Sequence, residues 1–359
     1  MKKIAIIAGT RPEVIKLSPI IEAIKSENGL EPIVISSGQQ GELLNQTLRE
    51  FGIVPKFKAE LNFRNSSLFN HVATLTEEIG KCLESVQPSF ILTQGDTSSA
   101  FAGTLSGFLL GIPVGHVEAG LRSQNLKSPF PEEGYRQLIS RIASIHFAPT
   151  ELAAQNLLAE GIDSKIVKVV GNTIVDAVQD LVSSFANNAR TKKILVTLHR
   201  RENFGEPLEQ IAQAIGDFAK SHKEVIFNVI IHPNPNSGLF LSKALSGFPN
   251  INLLPPLNYR DLLSEILTSA AVLTDSGGIQ EECAVLRTRL LIARNETERP
   301  EVLSENRILV GVSKQGVYQA LDESFELTFS AASELDLDLG VIGDGHSSVR
   351  IIQSIKSFL

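Results

Sequence analysis

Three stretches gather the side chains able to do chemistry. His116 to Gln137, HVEAGLRSQNLKSPFPEEGYRQ, holds three carboxylates, two arginines and a histidine after an apolar run. Pro129 and Pro131 interrupt any helical register, so these charges are expected on a loop. LTDSGGIQEE places Asp275, Ser276, Gly277 and Gly278 after another apolar run, and its glycines let a backbone approach a ligand. A helix opening there presents free N–H groups to a phosphate, and Glu282, a turn later, suits ribose hydroxyls. A helix cap without ligand is the plainer alternative. In GTRPEVIK the Arg11 guanidinium follows a strand and can fork onto a phosphate or carboxylate, with Lys16 a turn and a half into the next helix. Two surface cations are the alternative there.

Other polar groups recur at the ends of apolar runs. QGDTSSA brings Asp96 and Thr97, either of which can cap a helix; LHRREN brings His199 with Arg200, Arg201 and Glu202; IHPNP brings His232; NETERPE brings Arg299 and Glu301. Neither a Walker pattern nor GxGxxG is present, which argues against a nucleoside-triphosphate or nicotinamide site. Basic and glycine-rich ends in the second half would hold a diphosphate and ribose, and carboxylates in the first half would face what is attached. That division of labour is expected of a nucleotide-sugar enzyme.

Elements must position these ends. Short apolar runs (KIAIIAG, EPIVIS, FILTQG, PVGHVE, SIHFAPT) alternate with helix-like segments, the pattern of a parallel sheet covered on both faces. The alternation restarts at KILVTLH and continues through VIFNVIIHPN, INLLPPL, AVLTDSGG, a helix from Ile279, TRLLIAR and RILVGV. The expected fold is α/β, two Rossmann-like doubly wound domains facing a cleft. Residues 1–182 form the first and 193–340 the second. Segment 183–192 is the linker, and 341–359 form a helix that either closes the second half or crosses back to the first.

The 359 residues exceed what one core usually serves, and 43% apolar with 20% charged residues describes a globular chain. A net charge of −7 without a basic run argues against nucleic-acid binding. Cys82 and Cys283 have no zinc or redox spacing and read as reduced thiols in a cytoplasmic protein. The apolar start ends at GTRPE, too short for export or a membrane span.

In order, GTRPEVIK, QGDT, HVEAGLRS, PFPEE, HFAPT, GNTIVDA, HRREN, HPNP, LTDSGGIQEE and TERPE form one set covering Lys2 to Gly311. The set resembles the non-hydrolysing UDP-N-acetylglucosamine 2-epimerases. The resemblance implies a GT-B fold, a cytoplasmic homodimer, no cofactor and no metal. It also implies interconversion of UDP-N-acetylglucosamine and UDP-N-acetylmannosamine by elimination and re-addition of UDP through a 2-acetamidoglucal. It puts Lys16, Asp96, Glu118, Glu132, Arg136 and His199 among the catalytic residues. Arg11, Ser276, Gly277, Gly278 and Arg299 would hold phosphates, and Glu282 the ribose. Gln39, Gln40, Arg201 and His232 match an allosteric site for a second UDP-N-acetylglucosamine.

Three departures stand out. Ser37 to Gln40 read SGQQ where TGQH is usual, Tyr135 in PEEGYR replaces an asparagine, and Ser140 stands where aspartate is common. They leave open a related UDP-2-acetamido sugar, such as a 2,3-diacetamido uronate or a 6-deoxy sugar. A hydrolysing 2-epimerase, a GT-B glycosyltransferase and a non-enzymatic nucleotide-sugar sensor are the remaining alternatives.

Overall fold

A computed structural model describes residues 1–59, 67–183, 185, 189–297, 299–330 and 342–359. Its first half alternates β1 (Lys2–Ala8), α1 (Arg11–Lys25), β2 (Leu30–Ser36), α2 (Glu42–Glu50), β3 (Phe57–Lys58), α3 (Leu68–Val86) and β4 (Phe90–Gln94). It continues with α4 (Ser98–Leu109), β5 (Val114–Val117), α5 (Glu132–Ile142), β6 (Ile145–Ala148), α6 (Glu151–Ala159), β7 (Val167–Val169) and α7 (Thr173–Val182). The strands pair in parallel in the order β3-β2-β1-β4-β5-β6-β7. Strand order reverses between β1 and β4, the place where sheets of this kind leave a crevice at the carboxyl ends of their strands.

Both faces of this sheet are covered, which is why its strands are apolar throughout. Ile4, Ile6, Phe90 and Phe147 pack on one face with Val14, Leu17 and Ile20 of α1. Ala5, Ile7, Ile35 and Ile91 pack on the other with Leu75, Ile79 and Leu83 of α3.

The second half runs β8 (Thr191–Thr197), α8 (Glu206–Ser221), β9 (Ile226–Ile230), α9 (Pro235–Leu245), β10 (Ile251–Leu254), α10 (Tyr259–Thr268) and β11 (Ser269–Thr274). Then follow α11 (Gly277–Val285), β12 (Arg289–Ile292), β13 (Arg307–Leu309), α12 (Lys314–Ser330) and, after residues outside the description, α13 (Ser347–Phe358). The parallel order β10-β9-β8-β11-β12-β13 reverses between β8 and β11. Ile194, Val196, Phe227 and Leu273 form its core with Ile211, Ile215 and Phe218 of α8.

The chain divides into two compact units, Met1–Ala177 with Ile342–Leu359, and Val178–Val341. The division passes through α7, and α13 packs on α1 within the first unit, placing Ile351, Ile352 and Ile355 in its core. Of segment 183–192, residues 184 and 186–188 lie outside the described residues, and Thr191 opens β8.

Two expectations need correction. The charges after Pro131 are not on a loop: α5 starts at Glu132, with Pro131 as N-cap. A proline is no obstacle there, because residues at a helix start have no intrahelical acceptor for an N–H. The helix expected from Ile279 begins at Gly277, so both glycines lie in its first turn.

Candidate active site

In the first unit, adjacent strands β4 and β5 each end in a carboxylate held by a cation. Glu118 follows β5 with φ of 64°, a conformation that costs a residue with a Cβ about 1–2 kcal/mol. Its side chain is paired with Lys16 of α1 and accepts a hydrogen bond from Gln94 Nε2 at 3.0 Å. Asp96 follows β4, and its Oδ2 accepts from Arg136 Nε of α5 at 2.8 Å. Arg136 Nη1 also donates to Glu133 at 3.1 Å, and fully buried Glu133 further accepts from Ser123 N and Gln137 Nε2. Glu132 opens α5 and is half-buried. Lys16, Asp96, Glu118 and Arg136 thus come together as two ion pairs.

Arg122 does not join them. Its Nε donates to Glu160 at 2.6 Å and its Nη2 to Ser140 at 2.8 Å, so it ties the β5 loop to α5 and α6. Tyr135 stacks on Phe101 of α4 with ring centroids 4.9 Å apart, and its hydroxyl accepts from Ser98 Oγ at 3.5 Å.

The start of α1 is closed by Glu13 and by Gln40 of the loop after β2. Gly9 N and Thr10 N donate to Glu13 Oε2 at 2.8 and 2.6 Å, and Arg11 N donates to Gln40 Oε1 at 2.7 Å. These three amides are thereby occupied within the chain. At α4, Thr97 caps Ala100 N, and Gln39 Oε1 accepts from Ser99 N and Oγ at 3.1 and 2.6 Å. Gln39 and Gln40 therefore both hold neighbouring loops.

Burial decides the ionisation of several groups here. It pushes Glu13 up to about 7, against the donors on its oxygens, which lower it. It pushes His116 down to about 3 and His146 to about 4. His116 Nε2 donates to the Gly95 carbonyl at 2.7 Å, and neither ring nitrogen of His146 meets a partner among the described residues.

In the second unit, buried Asp275 organises the β8 end. Its carboxylate accepts from His199 N at 3.0 Å, Arg200 N at 3.0 Å and Asn203 Nδ2 at 3.0 Å. The His199 ring stacks on that of His232 with centroids 5.1 Å apart. Burial lowers the His199 pKa, assisted by Arg200 and His232 and opposed by Asp275. Arg201 is exposed.

Ser276 is the N-cap of α11 without a side-chain cap bond, and the first turn carries no acidic residue. Space beside Gly278 is open: nothing lies within 4 Å of where a Cβ would stand. Arg299 Nε donates to buried Glu281 at 2.6 Å, so Glu281 holds Arg299 rather than serving the first turn. Glu282, next to it, is buried. Among the described residues no group of three or more His, Cys, Asp and Glu could hold a metal ion.

Sequence reasoning left Glu13 and Asp275 without roles. Glu13 had a signal, the Thr10-x-x-Glu13 spacing of a capping box. Asp275 had none, because its partners lie more than 70 residues away.

Residues 22–356 match the family model described as UDP-N-acetylglucosamine 2-epimerase. The chain belongs to that family. UDP-N-acetylglucosamine 2-epimerase from Yersinia pestis is 36% identical over 371 residues, covering 99% of this chain and 98% of that protein. Among solved structures, the Neisseria meningitidis UDP-GlcNAc 2-epimerase bound to UDP-GlcNAc superposes with a TM-score of 0.89 at 34% identity. That match covers 99% of this chain and all of the other. The Methanocaldococcus jannaschii epimerase in complex with UDP-GlcNAc and UDP gives a TM-score of 0.86 at 33% identity, over 99% of both chains. Membership of the epimerase family makes this chain an isomerase with a GT-B-like α/β fold.

Proposed function

We propose that this epimerase inverts carbon 2 of UDP-N-acetylglucosamine to give UDP-N-acetylmannosamine. The observation that carries the reading is the pair of carboxylates, Glu118 and Asp96, each clamped by a cation at the ends of neighbouring strands. Carbon 2 has no neighbouring carbonyl, so its proton is too weakly acidic for simple removal at neutral pH. Breaking the bond from carbon 1 to the diphosphate oxygen releases UDP with its electron pair and makes the carbon 2 proton removable. A carboxylate takes that proton, leaving a double bond between carbons 1 and 2 of a 2-acetamidoglucal. Proton return to the opposite face and re-addition of UDP restore both bonds, with no net redox change.

Asp96, Glu118 and Glu132 serve proton transfer in this scheme, Lys16 and Arg136 set the charge around them, and His199 acts beside the leaving diphosphate. Arg11, Ser276, Gly277, Gly278 and Arg299 hold phosphates and Glu282 the ribose. The open start of α11 supports this assignment for its residues. Incubation in deuterated water tests the reaction. Deuterium at carbon 2 of a UDP-linked epimer is expected; free sugar with UDP would mean hydrolysis, and unchanged substrate would overturn the assignment.

We also read the chain as a cytoplasmic homodimer. Free Cys82 and Cys283 support a reducing compartment. No described helix is long and apolar enough to cross a membrane. Leu68, Phe69, Val72, Leu105 and Tyr135 line an apolar groove of about 690 Å³ on the first unit, with Phe69 79% exposed, the kind of face a second copy covers. Sedimentation of Phe69→Asp should report a monomer where the parent sediments as a dimer; a parent monomer would refute the dimer.

A further inference from the structure

Glu13 is nearly inaccessible, with 1% of its surface exposed, and takes no part in the chemistry above. Its two oxygens do different things. Oε2 accepts from Gly9 N and Thr10 N, at the end of β1 and the start of α1. Oε1 accepts from Thr97 Oγ1 at 2.6 Å, 84 residues away at the start of α4. Those two loops flank the reversal of strand order between β1 and β4. One turn beyond Glu13 on α1, Lys16 reaches Glu118; one residue before Thr97, Asp96 meets Arg136.

We propose that Glu13 is a positioning residue of the epimerase site, clamping the Gly9–Thr10 turn to Thr97 and thereby setting the Lys16–Glu118 pair against the Asp96–Arg136 pair. The inference rests on the epimerase reading. A capping box alone would need only the Oε2 bonds; the Thr97 bond joins two helix starts that are otherwise separate elements. Burial that holds the carboxyl near neutrality agrees with a group serving as a hydrogen-bonding bridge rather than a surface charge. Near-attack geometry tolerates little error, and a displacement of about 1 Å can cost about a hundredfold in rate.

Glu13→Ala, Glu13→Gln and the wild type are compared by three readouts: kcat from deuterium entry at carbon 2, UDP affinity by calorimetry, and amide exchange at Gly9 and Thr10. Glu13→Ala should lower kcat about a hundredfold, leave the UDP Kd within about twofold and speed exchange at both amides. Glu13→Gln should recover kcat to within about threefold of wild type, because its oxygen can accept both amides and its Nε2 can donate to Thr97 Oγ1. Wild-type kcat in Glu13→Ala, or equal loss in both variants, overturns the proposal. If Glu13→Ala does not fold, Thr97→Val against Thr97→Ser decides it: only the variant lacking the hydroxyl should lose kcat, and equal rates overturn the clamp. Absence of exchange in the wild type would instead defeat the epimerase reading, while the amide exchange still reports whether Glu13 ties the turn.

Discussion

The helix starts at the two switch points are built to opposite ends. At α1 and α4 in the first unit, Glu13, Gln40, Thr97 and Gln39 occupy the N–H groups that a ligand would otherwise use. At α11 in the second unit, Ser276 makes no side-chain cap and Gly278 borders open space. Even the glycines differ in purpose. A methyl group on Gly9 would collide with Ser37 and Ser99, which hydrogen bond to each other at 2.6 Å, whereas one on Gly278 would meet nothing. An unsatisfied helix start favours an anion, and a start closed by a carboxylate does not. The same topology therefore closes both strand ends in the first unit, whereas the second closes the β8 end with Asp275, which accepts from His199 N and Arg200 N, and leaves the start of α11 open.

Asp96→Asn is the strongest way to break this comparison. If the first unit supplies chemistry rather than UDP affinity, kcat should fall about a thousandfold, within the range of a lost acid–base group. The UDP Kd should change less than about twofold, because the substitution is nearly isosteric and Asp96 is not among the residues assigned to UDP. Stopped-flow turnover with calorimetric UDP binding checks both, and a joint loss of rate and affinity would erase the distinction between the units.

This distinction was only partly legible in the sequence. Alternating apolar runs marked β1, β2, β4, β5 and β6 and the paired sheets they imply, because each strand is buried on both faces. The start of α5 was hidden by Pro129 and Pro131, which usually stop helices yet fit at a start. α9 opens at Pro235 with Ser237 and Gly238 in its first turn, a weak helical pattern. At the site, residue types marked Glu118, Asp96 and the paired glycines as candidates. Which cation meets which carboxylate depends on contacts across 40 to 102 residues, as for Asp96–Arg136 and Lys16–Glu118. Arg122 shows the limit, since its neighbours in sequence gave no sign that Glu160 would engage it.

A paired glycine experiment sharpens the comparison with a smaller effect. Gly9→Ala must push aside the Ser37 and Ser99 hydroxyls, and overpacking of this kind costs about 2–3 kcal/mol of stability. Gly278→Ala should leave stability within about 0.5 kcal/mol, yet weaken UDP binding about tenfold if the diphosphate lies against α11. Urea unfolding and UDP calorimetry on both variants separate the outcomes. Equal stability losses would show that the two helix starts are packed alike.

Acid gives the smallest net effect, because buried groups in the first unit oppose one another. His116 and His146 titrate at about 3 and 4 in the folded chain and near 6.5 when unfolded. Below 6.5 the unfolded state binds protons that the folded state does not, so each ring removes about 2–3 kcal/mol of stability as pH falls to 4.5. Glu13 has the reverse sign: its folded pKa of about 7 exceeds 4.5, so the folded state holds the extra proton across that window. Acidification through that window therefore restores about 3 kcal/mol, and the three groups together leave a loss of about 2 kcal/mol at pH 4.5. Below 4.5 the Glu13 contribution is complete and the histidines act without opposition. Urea midpoints at pH 6.5, 5.5 and 4.5 should steepen in their pH dependence for Glu13→Gln and flatten for His146→Gln, each by about one proton. Unchanged slopes in both variants would mean that the buried groups of the first unit do not carry these protonation states.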